Sequence, residues 1–356
     1  MKILYDYTCF EQRIGGVSRY HVELIKNLDK NIYTILQPLL SNNVYLKEIG
    51  HPCIDLFPSI HSNKKKLVYK QLNQWLSIYY LKFKEYDIFH TTGMNPYFID
   101  KTDKPVVVTV HDLIHEKYPN LIVKSEIVKK KREKELKRAD AIICISEQTK
   151  NDLLQYHNVD ESKISVVYHG ANQEIIYKAQ TPLYNFPYIL FVGERSTYKN
   201  FSRLVEAFSL IEKDIHLVCT GKAFTTEELS LISKHNVQNR IHNKFVSDEE
   251  LNNLYCNALA FIYPSLCEGF GLPILEAFRC GCPCAISDIL CFHEVADDAA
   301  LYFDPLNIED MVNTINLLVL NDSKRNVIKT KGYDRLKKFT WEKCAKSTEQ
   351  VYSKLI

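Results

Sequence analysis

The sequence contains no apolar run approaching the length of a bilayer span, which excludes a transmembrane helix of ordinary length. It also lacks an excess of either charge. With a formal net charge of +2 over 356 residues, global electrostatics give no reason to expect a nucleic-acid partner. No GxGxxG follows the first strand-like stretch, which argues against a dinucleotide-dependent epimerase or dehydrogenase. No DxD occurs anywhere. No secretory signal is evident, because Met1 runs directly into the strand-like KILYDY. The eleven cysteines are an odd number in a large chain without such a signal, so they read as reduced thiols and the protein is expected in the cytoplasm. Three of them, Cys280, Cys282 and Cys284, form a CxCxC cluster. Gly281 and Pro283 make that stretch look like a helix end turning into a buried strand, so core cysteines fit it better than a metal site.

What is present is centred on CEGFGLPILEA, Cys267 to Ala277. The preceding ALAFIYP, Ala258 to Pro264, is short, apolar and rich in β-formers, so it reads as a strand buried on both faces. Gly269 and Gly271 then permit a turn and a close ligand approach, and Pro273 suits the first turn of a helix. The N–H groups at that helix start favour an anion such as a phosphate. Glu268 and Glu276 would repel a phosphate and pair better with hydroxyls. A nucleotide sugar carries both groups; a glycine turn with a capping glutamate is the plain alternative.

At 356 residues two domains are expected. Strand-like runs at Lys2–Tyr7, Tyr33–Leu39, Tyr86–His90, Pro105–Val110, Ala141–Ile145 and Ile164–Tyr168 alternate with helical patterns. Such alternation predicts an α/β, doubly wound parallel sheet whose ligands bind at the carboxyl ends of the strands. His111 and Asp112 follow one interior strand directly, and His115 and Tyr118 extend the same edge. The pair Gly15-Gly16 lies between the first strand and an amphipathic helix, where backbone can approach a ligand. A less periodic stretch, Gly170 to Phe186, reads as the interdomain linker.

The second block opens with the strand Tyr188–Val192, and Gly193, Arg195 and Lys199 follow at its carboxyl end. Two cations there suit a diphosphate, one as a planar fork and one as a point charge. Further strands are expected at Ile215–Thr220, Ile241–Val246 and Cys284–Ser287, and their ends are expected to converge on one crevice. Lys124 to Arg138 carries eight basic and three acidic residues. This reads as a solvated helix face, or as a contact with an anionic membrane surface or an acidic acceptor, to which Lys64-Lys65-Lys66 could add. The final segment, Thr340 to Leu355, reads as an amphipathic helix packing back across the first domain.

Gly15-Gly16, the Arg195 and Lys199 pair, EGFGLPILE, and the stretches VVVTVHDLIHEKYP, ICISEQTKNDLL and VVYHGAN together resemble the family 4 retaining glycosyltransferases of the GT-B fold. The resemblance covers nearly the whole length. It implies two Rossmann-like domains facing each other across a cleft, an acceptor-binding domain at 1–175 and a donor-binding domain at 183–339, with 340–356 returning to the first. It further implies that Glu276, in the first turn of its helix, accepts from the ribose hydroxyls and that the backbone of Phe270, Gly271 and Leu272 lines the diphosphate and donor sugar. By the same likeness Glu268 faces sugar hydroxyls, Lys244 and Val246 meet the base, and Gly193, Gly15 and Gly16 lie against the donor. Arg195 and Lys199 would neutralise the leaving diphosphate. Many relatives have Arg immediately before the Lys, where this chain has Tyr198, so Arg195 is expected to supply the second cation. His111 resembles the cleft histidine near the transferred sugar, with Asp112, His115 and Tyr118 toward the acceptor.

No cofactor and no metal are expected, from this likeness and from the missing DxD. The implied reaction moves a hexose, mannose from GDP-mannose, onto a surface polysaccharide or lipid-linked glycan at the inner face of the cell membrane. The mannose follows from the likeness of HDLIHEKYP and FVGERSTYKN to O-antigen and capsule mannosyltransferases; a UDP-sugar donor, or a non-catalytic nucleotide-sugar-binding subunit, is the alternative.

Overall fold

A computed structural model describes residues 1–37, 39–55, 63–120, 122–177, 181–195 and 197–356. The chain forms two compact units, Met1–Gly170 with Trp341–Ile356, and Ala171–Thr340. Residues 178–180 of the expected linker and Ser196, inside the stretch after the second block's first strand, lie outside the described residues.

In the first unit the strands are β1 (Lys2–Tyr5), β2 (Tyr33–Leu36), β3 (Leu39–Leu40), β4 (Cys53–Ile54), β5 (Ile88–Thr91), β6 (Val106–Val110), β7 (Ala141–Cys144) and β8 (Ile164–Val166). Six of them form one parallel sheet in the order β2-β1-β5-β6-β7-β8, and β3 pairs with β4 alone. The runs that build the middle of the sheet are apolar because both faces are covered: Val106, Val107, Ile142 and Ile143 are fully buried. Helices α1 (Gly16–Asn27), α2 (Asn63–Phe83), α3 (Ile114–Lys117), α4 (Ser125–Arg138) and α5 (Glu147–Tyr156) connect them.

The second unit repeats the plan with β9 (Tyr188–Phe191), β10 (His216–Thr220), β11 (Ile241–Lys244), β12 (Ala260–Tyr263), β13 (Cys284–Ser287) and β14 (Leu301–Phe303), in the order β11-β10-β9-β12-β13-β14. Its helices are α6 (Phe201–Ser209), α7 (Thr226–Lys234), α8 (Asp248–Asn257), α9 (Leu272–Arg279), α10 (Leu290–Ala296), α11 (Ile308–Val319) and α12 (Asp322–Leu336). Thr225 and Ser247 open α7 and α8 with capping boxes completed by Glu228 and Glu250, as a Ser/Thr followed three residues later by Glu should. The expected strand Ile241–Val246 stops at Lys244, so Val246 lies in the loop beyond it.

The last helix, α13 (Trp341–Ser353), belongs to the first unit, where Trp341, Cys344, Ala345 and Tyr352 share a core with Ile3, Tyr5, Tyr20 and Leu24. Tyr352 is pinned there by its hydroxyl, 2.8 Å from the Tyr5 hydroxyl and 2.6 Å from His90 Nδ1. A buried phenol needs such partners, and two of them fix the helix in register. Among the described residues no helix is long and apolar enough to cross a membrane.

Candidate functional site

Both sheets reverse their winding direction next to their first strand, between β1 and β5 in one unit and between β9 and β12 in the other. In open α/β sheets the loops diverge at that point and leave a crevice at the carboxyl ends. Polar side chains bridge both switch points. In the first unit Asp6, just after β1, accepts from the Thr92 amide at 2.9 Å and from the Thr8 hydroxyl at 2.7 Å, and the Thr92 hydroxyl donates to it as well. Asp6 is fully buried, and burial raises its carboxyl above the usual range despite these bonds. Asp6 and Thr92 are not among the residues expected at the site; the signal that points to them is position, each lying immediately beyond a strand.

In the second unit the bridge is an ion pair. Lys199 follows β9, Glu268 follows β12, and Nζ lies 2.5 Å from Glu268 Oε1 and 3.2 Å from the Tyr263 hydroxyl. The side chains are 14% and 11% exposed. Burial works against the lysine charge, but the Glu268 carboxylate outweighs it and holds the ammonium above its ordinary value. The Lys199 ammonium also lies 5.1 Å from the Tyr263 ring centre and 5.4 Å from that of Tyr198, so the tyrosine before it supplies an aromatic face.

Arg195 turns to the other side of β9. Its Nε donates to Glu228 at 2.9 Å, one terminal nitrogen to Asn243 Oδ1 at 3.0 Å and to the Thr220 carbonyl at 3.4 Å, and the other to the carbonyls of Lys222 and Ala223 at 2.5 and 3.1 Å. That occupies all five N–H donors of a guanidinium. The group also stacks 4.8 Å from the Phe224 ring centre. Arg195 therefore clamps the ends of β10 and β11, beside Gly193 and Gly221, both at positive φ (122° and 110°). The Gly221 amide closes the clamp by donating to the Lys244 carbonyl at 3.1 Å, while the Lys244 side chain pairs with Glu250 at 2.8 Å.

The turn into α9 requires its glycine. Gly271 caps the helix at φ 111°, and a Cβ there would meet the Phe292 ring and Ile274 Cδ1 at 3.1 Å. Leu272 and Pro273 open the helix, the proline where its missing N–H costs nothing, and the Ile274 amide donates to the Gly271 carbonyl at 2.9 Å. Phe270 is buried, with its ring edge-on to that of Phe339. Glu276 is the fifth residue of α9 and lies in its second turn, not in the first as expected, because the helix already starts at Leu272.

In the first unit, Gly15 is the N-cap of α1 and Gly16 its first residue. A Cβ on Gly15 would come within 2.9 Å of Gln12 Oε1, whereas one on Gly16 would meet nothing within 4 Å. His111 lies in an aromatic cluster, edge-on to Tyr20 at 5.1 Å and His169 at 5.6 Å, and its Nε2 has no hydrogen-bond partner among the described residues. Burial pushes His111 down to about 4, with Asp112 opposing and Arg132 adding to the shift, so the ring is neutral at pH 7. Asp112 accepts from the Ile114 amide at 3.2 Å and so starts α3; His115 Nδ1 lies 3.3 Å from the Ser125 hydroxyl; Tyr118 ends α3. The cysteines at 280, 282 and 284 are buried free thiols, and no cluster able to hold a metal occurs among the described residues.

Residues 14–174 match the model described as Glycosyltransferase Family 4, and residues 173–335 match Glycosyl transferases group 1. The chain is 25% identical to O-antigen chain mannosyltransferase B of Escherichia coli over the full length of both proteins. It is 29% identical to O-antigen chain mannosyltransferase RfbU of Salmonella typhimurium, over 73% of this chain and 74% of that one. The fold matches that of Anabaena Alr3699/HepE, solved in complex with UDP and glucose, with a TM-score of 0.78 and 16% identity over the full length of both chains.

Proposed function

The chain belongs to the glycosyltransferases that join a Family 4 domain to a group 1 domain in the GT-B fold, and we propose that it transfers mannose from GDP-mannose, with retention, to a surface-polysaccharide or lipid-linked glycan. The observation that carries the reading is the Lys199–Glu268 pair at the switch point of the second unit. A nucleotide-diphosphate leaving group develops negative charge as the glycosidic bond breaks, and a fixed ammonium beside a helix start compensates it without reorganisation. Lys199 supplies that charge, and the first amides of α9 at Leu272 share it. Glu268 then keeps one oxygen for a hydroxyl of the donor sugar while its other oxygen holds the lysine.

Arg195 acts as a positioning residue in this reading. By tying together the loops after β10 and β11 it shapes the wall where Gly193, Lys244 and Val246 take the nucleoside, and it leaves the phosphate to Lys199. Glu276 accepts from the ribose hydroxyls. In the first unit, the open space at Gly16 and the N-terminus of α1 suit a phosphate oxygen, and neutral His111, just after β6, meets the acceptor or sugar hydroxyls, with His115 on α3 and Tyr118 at its end nearby. With Lys199 and the start of α9 at the leaving group and no DxD in the sequence, transfer is expected to need no divalent ion.

The support for mannose is the pair of mannosyltransferase relatives at 25% and 29% identity. A panel of nucleotide sugars in a thermal-shift titration tests it. Stabilisation by GDP and GDP-mannose is expected; stabilisation by UDP and not by GDP would end the mannose reading while leaving the Lys199 and Glu268 roles in place.

A further inference from the structure

Helix α2 is built inside out. Its buried positions recur every fourth residue at Tyr69, Asn73, Ser77 and Leu81, and three of these four carry a polar group. Asn73 exchanges two hydrogen bonds with the backbone of Leu40, at 2.9 and 3.0 Å, and the Ser77 hydroxyl lies 2.5 Å from that of Tyr97. The apolar residues point the other way. Val68, Leu72, Trp75, Tyr79 and Phe83 are 50%, 48%, 79%, 50% and 70% exposed. At 3.6 residues per turn they fall within an arc of about 80°, a continuous stripe roughly 22 Å long. Beside it Leu72, Trp75, Leu76 and Tyr79, with Leu40 and Ile54, line an apolar groove of about 420 Å3.

The charge on the helix has one sign. Residues 63–83 carry five lysines and no aspartate or glutamate. Lys65 pairs with Asp55 and Lys70 approaches Glu11, whereas Lys64, Lys66 and Lys82 form no ion pair among the described residues. On the helical wheel Lys64 and Lys82 border the stripe, one at each end. A second copy of the chain seated symmetrically on this face would set lysine against lysine. An anionic lipid surface meets both halves of the pattern, with acyl boundary for the aromatic and aliphatic groups and phosphate for the ammoniums. The expected membrane contact at Lys124–Arg138 is weaker by the same criteria, because Lys129, Lys137, Arg132 and Arg138 are each paired with a carboxylate.

We propose that α2 is an interfacial anchor that lays the first unit on an anionic glycerophospholipid bilayer, with Val68, Leu72, Trp75, Tyr79 and Phe83 entering the acyl boundary and Lys64 and Lys82 meeting headgroup phosphates. The assignment is independent of the donor sugar. It is tested with the full-length protein by co-flotation with vesicles of phosphatidylglycerol and phosphatidylcholine, and with phosphatidylcholine alone. The protein has two tryptophans, and Trp341 is buried, so a blue shift of emission on vesicle addition reports Trp75. Binding to the anionic vesicles with a blue shift is expected. It should fall by about tenfold or more in Trp75→Ser/Tyr79→Ser and in Lys64→Gln/Lys82→Gln, and stay unchanged in Lys129→Gln/Lys130→Gln. Circular dichroism and nucleotide turnover in detergent-free buffer should match wild type in all three. Failure of the wild type to float, flotation that the stripe substitutions leave intact, or a concentration-dependent dimer that they abolish would each overturn the proposal.

Discussion

Replacing Lys199 with Met separates the structural and chemical roles of the ion pair at the switch point. The substitution keeps the length of the side chain and removes its charge, leaving the Glu268 carboxylate without its 2.5 Å partner in a site where it is 11% exposed. Breaking a buried pair from one side costs about 3–5 kcal/mol, and the residual exposure here places the expected loss at about 2–3 kcal/mol. Removing both charges in Lys199→Met/Glu268→Gln should return stability to within about 1 kcal/mol of wild type, because a neutral amide no longer needs a counter-ion. Activity should not return with it. Loss of a preorganised charge at the leaving group costs about a hundredfold to a thousandfold in kcat. Urea unfolding and steady-state sugar transfer, measured on wild type, both single variants and the double variant, give the four corners of the cycle. Wild-type kcat in Lys199→Met, or a double variant as active as wild type, would refute the assignment of Lys199 to the leaving diphosphate.

Other outcomes follow from the same geometry. Arg195→Lys should destabilise the second unit by about 2–3 kcal/mol in urea unfolding, since a single ammonium cannot satisfy Glu228, Asn243 and the loop carbonyls together; a neutral result would mean the clamp is dispensable. Four histidines of the first unit, the buried His21, His90 and His169 and the partly buried His111, are all pushed below the ordinary value by desolvation, with His90 at about 3 and His111 at about 4. Above about pH 6.5 neither folded nor unfolded chain protonates them; below it the unfolded chain takes up protons first, so stability falls with pH, by about 2 kcal/mol per histidine on reaching pH 5. Equal urea midpoints at pH 7.5 and 5, in about the same salt, would contradict this. Glu276→Ala should weaken donor binding by about tenfold in calorimetry, while His111→Ala should chiefly lower kcat; the reverse pattern would exchange their roles. Transfer in the presence of chelator should match transfer without it, and loss of activity restored by manganese would show that a metal shares the diphosphate charge.

The α/β doubly wound class was legible because buried parallel strands leave uninterrupted apolar runs such as VVVTV and AFIY, and because glycines mark the ends of β9, β10 and the start of α9. Strand order was not legible. The neighbourhood of Lys199 and Glu268, 69 residues apart in sequence, depends on β12 lying beside β9, a pairing that no local pattern reveals. Arg195 illustrates a different limit: sequence placed a guanidinium at a strand end, but only the three-dimensional neighbours Glu228 and Asn243 show that its donors are already taken. Strand β14 was missed because three residues are too short for periodicity to register. In α2 apolar residues recur at helical spacing, but periodicity reports that two faces differ and cannot say which one is buried; Asn73 and Ser77, bonded to Leu40 and Tyr97, decide that.

The most direct test is the stereochemical course and donor of a single turnover: full-length protein incubated with GDP-mannose and a lipid-linked glycan extract, and the new linkage read by NMR. An α-linked mannose, which preserves the configuration of the donor, is expected from GDP-mannose in wild type and should be lost in Lys199→Met. A β-linked product, transfer from a UDP-sugar alone, or undiminished transfer by Lys199→Met would contradict the proposed reaction.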